Sequence, residues 1–255
     1  MTRLSLNGLG VEIGDTRVCQ DLSLQIKGGQ VWSVLGRNGV GKSTLLKTLA
    51  GLRPPQSGRI DIDEQPLSGL PRRDRARRLG ILFQDSDTLF PTTVLETVLT
   101  GRHPWVSTLQ GESEEDVAVA RQALRRVGLE IMGERSIATL SGGERRRVDL
   151  ATLMVQEPRV FLLDEPSNHL DLHYQVAVLG GLIDDWRRAE GAVILVMHDV
   201  NLALRFSDHL ILLQGDGQVE WGEAPELATE SRLSRLYGHQ MLQVTTTDGR
   251  WFFPA

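Results

Sequence analysis

The chain has 255 residues, of which 40% are hydrophobic and 24% charged, and its 28 basic and 33 acidic residues give a formal net charge of −5. This composition excludes a disordered or low-complexity chain, and the net acidity argues against nucleic acid as a partner. Cys19 is the single cysteine, which excludes an intramolecular disulfide and a cysteine-rich metal site and is typical of a small buried residue. Neither a secretory signal nor an apolar run of about 18 residues is present. We therefore expect a soluble cytosolic protein.

The first 35 residues alternate apolar and polar positions in short runs that glycines interrupt. Turns at Gly14-Asp15 and Gly28-Gly29 separate two predicted antiparallel strands from a buried strand at Val31–Leu35. Further along the chain, the pattern predicts strands at 58–62, 79–84, 160–163 and 192–197, a hairpin of 209–213 with 218–221, a terminal strand pair, and helices from about 42, at 93–100, 114–128 and 143–156, from about 172 and at 230–237. Strands that alternate with helices predict an α/β fold with a largely parallel sheet.

The middle of the chain differs from its two ends in its sequence pattern. Prolines interrupt residues 85–157, and helical patterns fill most of this block. We expect a single domain, 1–255, in which 85–157 form an inserted helical subdomain. Residues 1–84 and 158–255 then supply the core and an antiparallel β-subdomain.

A glycine-rich loop lies between a predicted strand and a predicted helix. Its sequence, Gly36-Arg-Asn-Gly-Val-Gly-Lys-Ser43, fits the phosphate-loop pattern G-x-x-x-x-G-K-[S/T]. Glycines let backbone N–H groups surround phosphate oxygens, and the helix N-terminus adds the positive end of its dipole. The alternative is a chance glycine turn. The residues expected to bind a nucleoside triphosphate are Gly36, Arg37, Asn38, Gly39, Val40, Gly41, Lys42, Ser43 and Thr44.

Two of these residues have the chemistry of specific nucleotide contacts. Lys42, one of three lysines among the 28 basic residues, is expected to reach the β- and γ-phosphates. The Ser43 hydroxyl is expected to ligate Mg²⁺. Because lysine is rare in this chain, its presence in the loop is notable. A compact ammonium group suits the loop better than a planar guanidinium does.

A second candidate site lies where the apolar strand Val160–Leu163 runs into Asp164 and Glu165. Burying two adjacent carboxylates is unfavourable unless they meet a cation or a reacting water. Asp164 is suited to hold Mg²⁺, and Glu165 to orient or deprotonate an attacking water. Taken alone, the pattern also fits a solvated strand end.

The segment Leu140-Ser-Gly-Gly-Glu144 combines a helix cap with two glycines. Ser141 is expected to cap the following helix, while Gly142 and Gly143 allow close backbone approach to a second phosphate group. In isolation, a capped helix after a glycine turn explains the segment equally well.

These motifs, taken in their order, resemble the ATP-binding cassette (ABC) ATPases of membrane transporters over nearly the whole chain. The order is the phosphate loop at 36–43, Gln84, the signature at 140–144, the acidic strand end at 160–165, Ser167-Asn-His-Leu-Asp171 and His198. The resemblance implies a RecA-like P-loop NTPase core with an antiparallel β-subdomain and an inserted helical subdomain. It implies ATP and Mg²⁺ as cofactors and ATP hydrolysis as the activity.

The resemblance also assigns roles to residues that no local pattern explains. Gln84 matches the glutamine that touches Mg²⁺ and the attacking water, and His198 matches the histidine that binds the γ-phosphate. A strand-end histidine with a purely structural role is the alternative for His198. Asp171 matches an aspartate that couples two sites across a head-to-tail dimer, in which the signature of one copy closes over the phosphate loop of the other. One loop and one signature per chain thus imply a second copy, or a similar chain, as partner.

Within the family, the chain looks like the importer branch that takes up iron–siderophores, haem and cobalamin. The resemblance is carried by Phe90-Pro-Thr-Thr-Val94 and Gly101-Arg-His-Pro104. It implies polytopic membrane permease subunits as partners, a periplasmic or surface substrate-binding protein, and a peripheral location at the cytoplasmic face of the membrane. The alternative is an ABC ATPase of the iron–sulfur assembly type, which is not coupled to transport.

Three features depart from the family pattern or lie outside it. Ile13 stands where the family usually has an aromatic residue that stacks on adenine, and Val18 is a candidate substitute contact. The basic run Arg72–Arg78 is predicted to be a solvated helix face, with a nucleic-acid patch as the alternative. Arg145–Arg147 either add positive electrostatic potential at the γ-phosphate or form a turn of a surface helix.

Overall fold

The computed structural model describes residues 1–84, 91–107, 111–247 and 249–255. Within these ranges the strands are β1 (Thr2–Ile13), β2 (Thr16–Lys27), β3 (Val31–Gly36), β4 (Ser57–Ile62), β5 (Gln65–Pro66), β6 (Leu79–Leu82), β7 (Val160–Asp164), β8 (Ala192–Val196), β9 (His209–Gly215), β10 (Gln218–Glu223), β11 (Met241–Thr246) and β12 (Gly249–Pro254). The α-helices are α1 (Lys42–Leu49), α2 (Arg72–Arg78), α3 (Val94–Leu99), α4 (Glu114–Arg126), α5 (Gly142–Gln156), α6 (Gly180–Arg188), α7 (Val200–Phe206), α8 (Ala224–Leu227) and α9 (Glu230–Tyr237).

The helices and strands confirm the α/β prediction and most of its predicted elements. The hairpin of β9 and β10, helix α9 and the terminal pair of β11 and β12 lie where the sequence places them. The helix expected from about residue 172 is present but includes a π-helical stretch, Tyr174–Leu179, which no sequence pattern indicates. Phe90, part of the importer pattern, lies outside the described residues.

The described chain divides into two compact units, of which the first comprises Met1–Gly69 and Trp186–Ala255. Its antiparallel sheet has the order β2-β1-β4-β5. A second group of strands places β3 between β8 and β9, parallel to both, with β10 antiparallel to β9. Every residue of β3 and β8 is buried, as expected for strands covered on both faces.

Cys19 lies on β2 in this unit and confirms the prediction of a small buried residue. Its side chain is fully buried and unbridged. Burial raises the pKa of the thiol to about 11, because desolvation disfavours the thiolate. The thiol is therefore a packing group rather than a nucleophile.

The second unit, Leu70–Asp185, contains the parallel pair β6 and β7 and helices α2 to α5. The predicted importer motif at 101–104 joins several of these elements. A Cβ on Gly101 would lie 2.2 Å from the Thr152 carbonyl oxygen, so only glycine fits against α5 at this position. Arg102 donates to Asp116 on α4 at 2.8 Å and to the Val155 carbonyl oxygen on α5 at 2.9 Å. The motif therefore has a local packing role in this unit.

The basic helix α2 also takes part in this packing. Arg73 and Arg77 each donate through Nε to the Pro104 carbonyl oxygen at 2.8 Å. The Arg77 guanidinium lies 5.0 Å from the ring centroid of Trp105, within the range of a cation–π contact. The helix has no buried residue and Arg73 is exposed, which agrees with the predicted solvated face, while Arg73 and the half-buried Arg77 also bind the 101–105 segment.

The contact between Asp116 and Arg102 leads to a stability prediction. The backbone N–H of Ser113, then Arg102, hold the pKa of Asp116 below its ordinary value of 3.8. A lowered folded-state pKa stabilises the fold above the unfolded pKa, and this stabilisation is lost as pH falls through the folded value. We expect Asp116→Asn to lower the free energy of unfolding by about 1 kcal/mol at neutral pH.

Urea unfolding curves of the parent and Asp116→Asn between pH 7 and pH 3 test this prediction. The difference should shrink as pH falls below 3.8. Glu115→Gln, a change at an exposed position of the same helix, is the control and should change stability by less than about 0.5 kcal/mol at any pH. A pH-independent difference for Asp116→Asn would contradict the assigned electrostatic cause.

Candidate functional site

The phosphate-loop sequence forms a tight loop between β3 and α1 in the first unit. Gly39 and Gly41 have φ values of 78° and 105°, a region that disfavours residues with a Cβ. A Cβ on Gly41 would also come within 2.4 Å of the Val18 side chain. The loop therefore requires glycine at Gly41 for two independent reasons, backbone conformation and packing.

Lys42 begins α1 and turns its side chain back into the loop. Its Nζ donates to the carbonyl oxygens of Gly36 at 2.9 Å and Arg37 at 3.1 Å, and the residue is 6% exposed. The loop backbone thus wraps a compact ammonium group, as the sequence predicts. A planar guanidinium is larger and places its donors in a fixed fork that does not match these two carbonyls.

Arg37 has a side-chain role that the sequence does not reveal. Its Nε and an Nη donate to the carbonyl oxygens of Leu236 at 3.0 Å and Arg235 at 3.2 Å. These carbonyls are at the C-terminal end of α9, where a cation is favoured by the helix dipole. The backbone of Arg37 remains part of the loop, while its side chain fastens the loop to the terminal helix.

His198 follows β8, which runs parallel to β3 with Val34 opposite Val196. The carboxyl ends of parallel neighbours meet at one edge of a sheet, so His198 and Gly36 belong to the same edge. His198 is exposed. The next residue, Asp199, caps α7 by accepting from the backbone N–H groups of Asn201 and Leu202.

In the second unit, the parallel pairing of β6 with β7 brings Gln84 and Glu165 together. Leu82 lies opposite Leu163, and the Gln84 Nε2 donates to a carboxylate oxygen of Glu165 at 3.3 Å. Asn168, whose part the sequence does not predict, donates to the same carboxylate oxygen. Glu165 is 7% exposed, so these two amides hold a nearly buried carboxylate in a fixed orientation.

Asp164 is 3% exposed at the end of β7. The predicted metal ligands, Ser43, Gln84 and Asp164, offer a hydroxyl, an amide and a carboxylate. These hard oxygen donors are the kind that Mg²⁺ takes while keeping waters and nucleotide phosphates as its other ligands. Among the described residues no group of three or more His, Cys, Asp or Glu forms a metal cage. Ser43 belongs to the first unit and Gln84 and Asp164 to the second, and all three stay predicted ligands of Mg²⁺.

The signature segment caps α5 as predicted. The Ser141 hydroxyl accepts from the backbone N–H of Glu144, and the Glu144 carboxylate accepts from the backbone N–H of Ser141 at 2.8 Å. The backbone N–H of Ser141 and then its hydroxyl, which both donate to the Glu144 carboxylate, hold the pKa of Glu144 below its ordinary value. A Cβ on Gly143 would lie 2.7 Å from the His169 carbonyl oxygen. Ser141 and Gly142 are exposed.

Asp171 lies in the same unit and is exposed. Its carboxylate accepts from the backbone N–H of Tyr174 at 3.0 Å, which caps the helical segment that follows. The cap explains the residue locally, and its exposed position leaves it accessible to another molecule.

Arg146 and Arg147 are both buried, so the prediction of a surface helix turn is wrong for them. Arg147 donates to the Val127 carbonyl oxygen at 3.0 Å, and its guanidinium lies 4.1 Å from the ring centroid of Tyr174. Of the three arginines after the signature, Arg145 is the exposed one. No local pattern reveals this burial, because the acceptors are distant in sequence.

Ile13 and Val18 differ sharply in exposure. Ile13 is 43% exposed at the end of β1, whereas Val18 is fully buried and packs on Gly41. A side chain without exposed surface cannot stack on a base, so the suggested substitute contact at Val18 is wrong. Ile13 remains the candidate for contact with adenine.

Comparison with known proteins identifies the family that these motifs indicate. The ABC transporter family profile matches residues 19–168, which include the phosphate loop, Gln84, the signature segment and the acidic strand end. The chain belongs to the ABC transporter ATPase family. It is an ATP-binding protein and an ATPase, with the RecA-like ABC ATPase fold that the sequence predicts.

Curated relatives of this ABC ATPase resemble it over most of their length. The hemin import ATP-binding protein HmuV of Gloeobacter violaceus is 39% identical over 94% of the chain and 88% of the relative. The petrobactin import ATP-binding protein FpuD of Bacillus anthracis is 34% identical over 95% and 89%. The ferric enterobactin transport ATP-binding protein FepC of Escherichia coli K12 is 34% identical over 93% and 88%.

Solved structures agree with this placement. A chain from a transporter described as being of the metal-chelate ABC type, in an inward-facing conformation, has a TM-score of 0.85, with 27% identity over 100% of this chain and 98% of that chain. The dimeric cassette MJ0796 bound to ADP and Pi has a TM-score of 0.75 and 27% identity over 87% and 98%. Among the described residues, no helix is long and apolar enough to cross a membrane.

Proposed function

We propose that this ABC ATPase energises the uptake of a metal chelate, namely an iron–siderophore, haem or cobalamin, through separate membrane permease subunits. The proposal is supported by the similarity to import ATP-binding proteins across more than nine tenths of the chain. The alternative, an ABC ATPase of the iron–sulfur assembly type, has no comparable support among these relatives.

The proposed chemistry is supported by the environment of the Glu165 carboxylate. This group is nearly buried and accepts hydrogen bonds from the side-chain amides of Gln84 and Asn168. In the proposed reaction, Glu165 accepts a proton from water as the water oxygen bonds to the γ-phosphorus. The bond between that phosphorus and the β–γ bridging oxygen breaks, which yields ADP and phosphate. Gln84 orients the same water.

The remaining predicted residues serve binding in this proposal. Lys42 and the loop backbone bind the β- and γ-phosphates, and His198 hydrogen-bonds the γ-phosphate. Ser43, Gln84 and Asp164 would hold Mg²⁺, which neutralises phosphate charge when it is bound.

We propose a head-to-tail dimer of two copies as the hydrolysing form. Ser141, Gly142 and Gly143 of one copy then contact the γ-phosphate held by the other, and Asp171 couples the two sites. The exposure of Ser141, Gly142 and Asp171 supports this proposal. Polytopic permease subunits bind the dimer at the cytoplasmic face of the membrane, and a substrate-binding protein delivers the chelate from the other side.

Co-purification tests the transport assignment against the alternative. The affinity-tagged chain is expressed in its native host and purified from the membrane fraction in mild detergent. We expect the chain to be recovered in a complex with a polytopic membrane protein. The ATPase activity of this complex should rise when the chelate-loaded binding protein is added. Recovery of a soluble scaffold protein in place of a membrane subunit would contradict the transport assignment.

The exposed aliphatic residue Ile13 gives a prediction about base recognition. An aromatic side chain stacks on a purine more favourably than an aliphatic one, by about 1 kcal/mol. We therefore expect Ile13→Tyr to tighten ATP binding by about fivefold and to raise the preference for ATP over GTP. Competition of unlabelled ATP and GTP against a fluorescent ATP analogue measures both effects.

Val244→Tyr, which adds the same ring at another exposed position, is the matched control and should change neither affinity. An unchanged ATP affinity in Ile13→Tyr would show that residue 13 does not face the base.

A further inference from the structure

Arg146 is a charged residue buried on the helix that starts with the signature. It lies in the second turn of α5 and is 3% exposed. Burying a guanidinium costs free energy unless it donates hydrogen bonds to acceptors around it. The acceptors of Arg146 therefore indicate which parts of the structure the side chain holds in place.

Within the described residues, Arg146 donates to backbone carbonyl oxygens at the ends of two strands. One Nη donates to the carbonyl oxygens of Phe83 and, at 3.5 Å, Gln84, just beyond the end of β6. The other donates to the carbonyl oxygens of Asp164 at 2.5 Å and Glu165 at 2.8 Å, at the end of β7. Hydrogen bonds from an ionised donor are about twice as strong as neutral ones. One side chain thus ties the signature helix to both strand ends.

These strand ends carry the two side chains proposed to handle water. Glu165 has a φ of 47°, which is unfavourable for a residue with a Cβ and persists only where neighbours enforce it. Arg146 binds the carbonyl of this residue directly. The contact between the Gln84 amide and the Glu165 carboxylate then depends on backbones that Arg146 holds in place.

We infer that Arg146 is a positioning residue for ATP hydrolysis, which fixes the spacing of Gln84 and Glu165 and links both to the start of the signature helix. The inference rests on the proposed roles of Gln84 and Glu165. A displacement of the signature end of α5 reaches these residues through the guanidinium fork. Because the fork is planar and carries several donors, neither lysine nor glutamine can serve all four carbonyls.

The test compares Arg146→Lys and Arg146→Gln with the parent in steady-state ATPase assays, ATP-binding measurements and thermal unfolding. A misplacement of reacting groups by about 1 Å costs up to about a hundredfold in rate. We expect kcat to fall at least about tenfold in both variants, while the KM and Kd for ATP stay within about twofold, since the phosphate loop is untouched. The control Arg121→Gln, at an exposed arginine of the same unit, should match the parent.

The same assays distinguish the competing outcomes. A folded Arg146 variant with the parent's kcat would overturn the inference. So would loss of kcat only in proportion to loss of folded protein, or failure of both variants to fold, since Arg146 would then serve stability alone. If Glu165→Gln hydrolyses ATP at the parent rate while the Arg146 variants are slow, Glu165 is not the base. The positioning role of Arg146 is then still supported.

Discussion

Glu165→Gln is expected to abolish most ATP turnover while ATP stays bound. A general base contributes about a hundredfold to ten-thousandfold to a reaction, so kcat should fall by at least about a hundredfold. The glutamine carbonyl can still accept from Gln84 and Asn168, which now donate to the carboxylate. The fold and the affinity for ATP should therefore be retained, and phosphate release under single-turnover conditions measures the loss.

The same variant provides a test of the proposed dimer. Because the bound ATP is not consumed, Glu165→Gln should elute as a dimer in size-exclusion chromatography with ATP and as a monomer with ADP. Glu134→Gln, which neutralises a carboxylate that is 80% exposed in the same unit, is the control and should hydrolyse ATP at the parent rate. Parent-level turnover by Glu165→Gln would show that another group accepts the proton.

Lys42→Arg is expected to weaken ATP binding although it preserves the charge. The Lys42 ammonium group is enclosed by the loop and bound to the carbonyl oxygens of Gly36 and Arg37. A guanidinium does not fit the enclosure without displacing loop backbone, which moves the N–H groups proposed to bind phosphate. We expect ATP affinity to fall at least tenfold, or about 1.4 kcal/mol, in a fluorescence or calorimetric titration.

Lys47→Arg is the matched control for this substitution. Lys47 is exposed in the last turn of the same helix, and its replacement should leave ATP affinity unchanged. Equal affinities in Lys42→Arg and the parent would contradict an enclosed ammonium as the phosphate-binding group.

The sequence predicts those parts of the site that short-range chemistry determines. The phosphate loop requires glycines where φ is positive, and the Ser141 cap needs only Glu144 three residues later. The strand ends follow from apolar runs that stop at polar residues. In these cases the residues that explain the structure lie within one motif.

The parts that the sequence does not predict depend on partners far along the chain. Arg37 reaches carbonyls of α9 almost 200 residues away, and Arg146 reaches those of Phe83 and Asp164. An arginine that binds backbone carbonyls leaves no pattern, because every residue supplies the same acceptor. The packing of Arg73 and Arg77 on Pro104 escapes prediction for the same reason.

Uptake in proteoliposomes tests the central claim most directly. Vesicles that hold the permease together with this ATPase are given labelled ferric siderophore, haem or cobalamin, with the matching binding protein, on the side opposite the ATPase. We expect ATP-dependent accumulation of at least one of these chelates with the parent chain and none with Glu165→Gln. ATP hydrolysis by the parent without uptake of any chelate, or equal uptake with Glu165→Gln, would contradict the proposed role in chelate uptake.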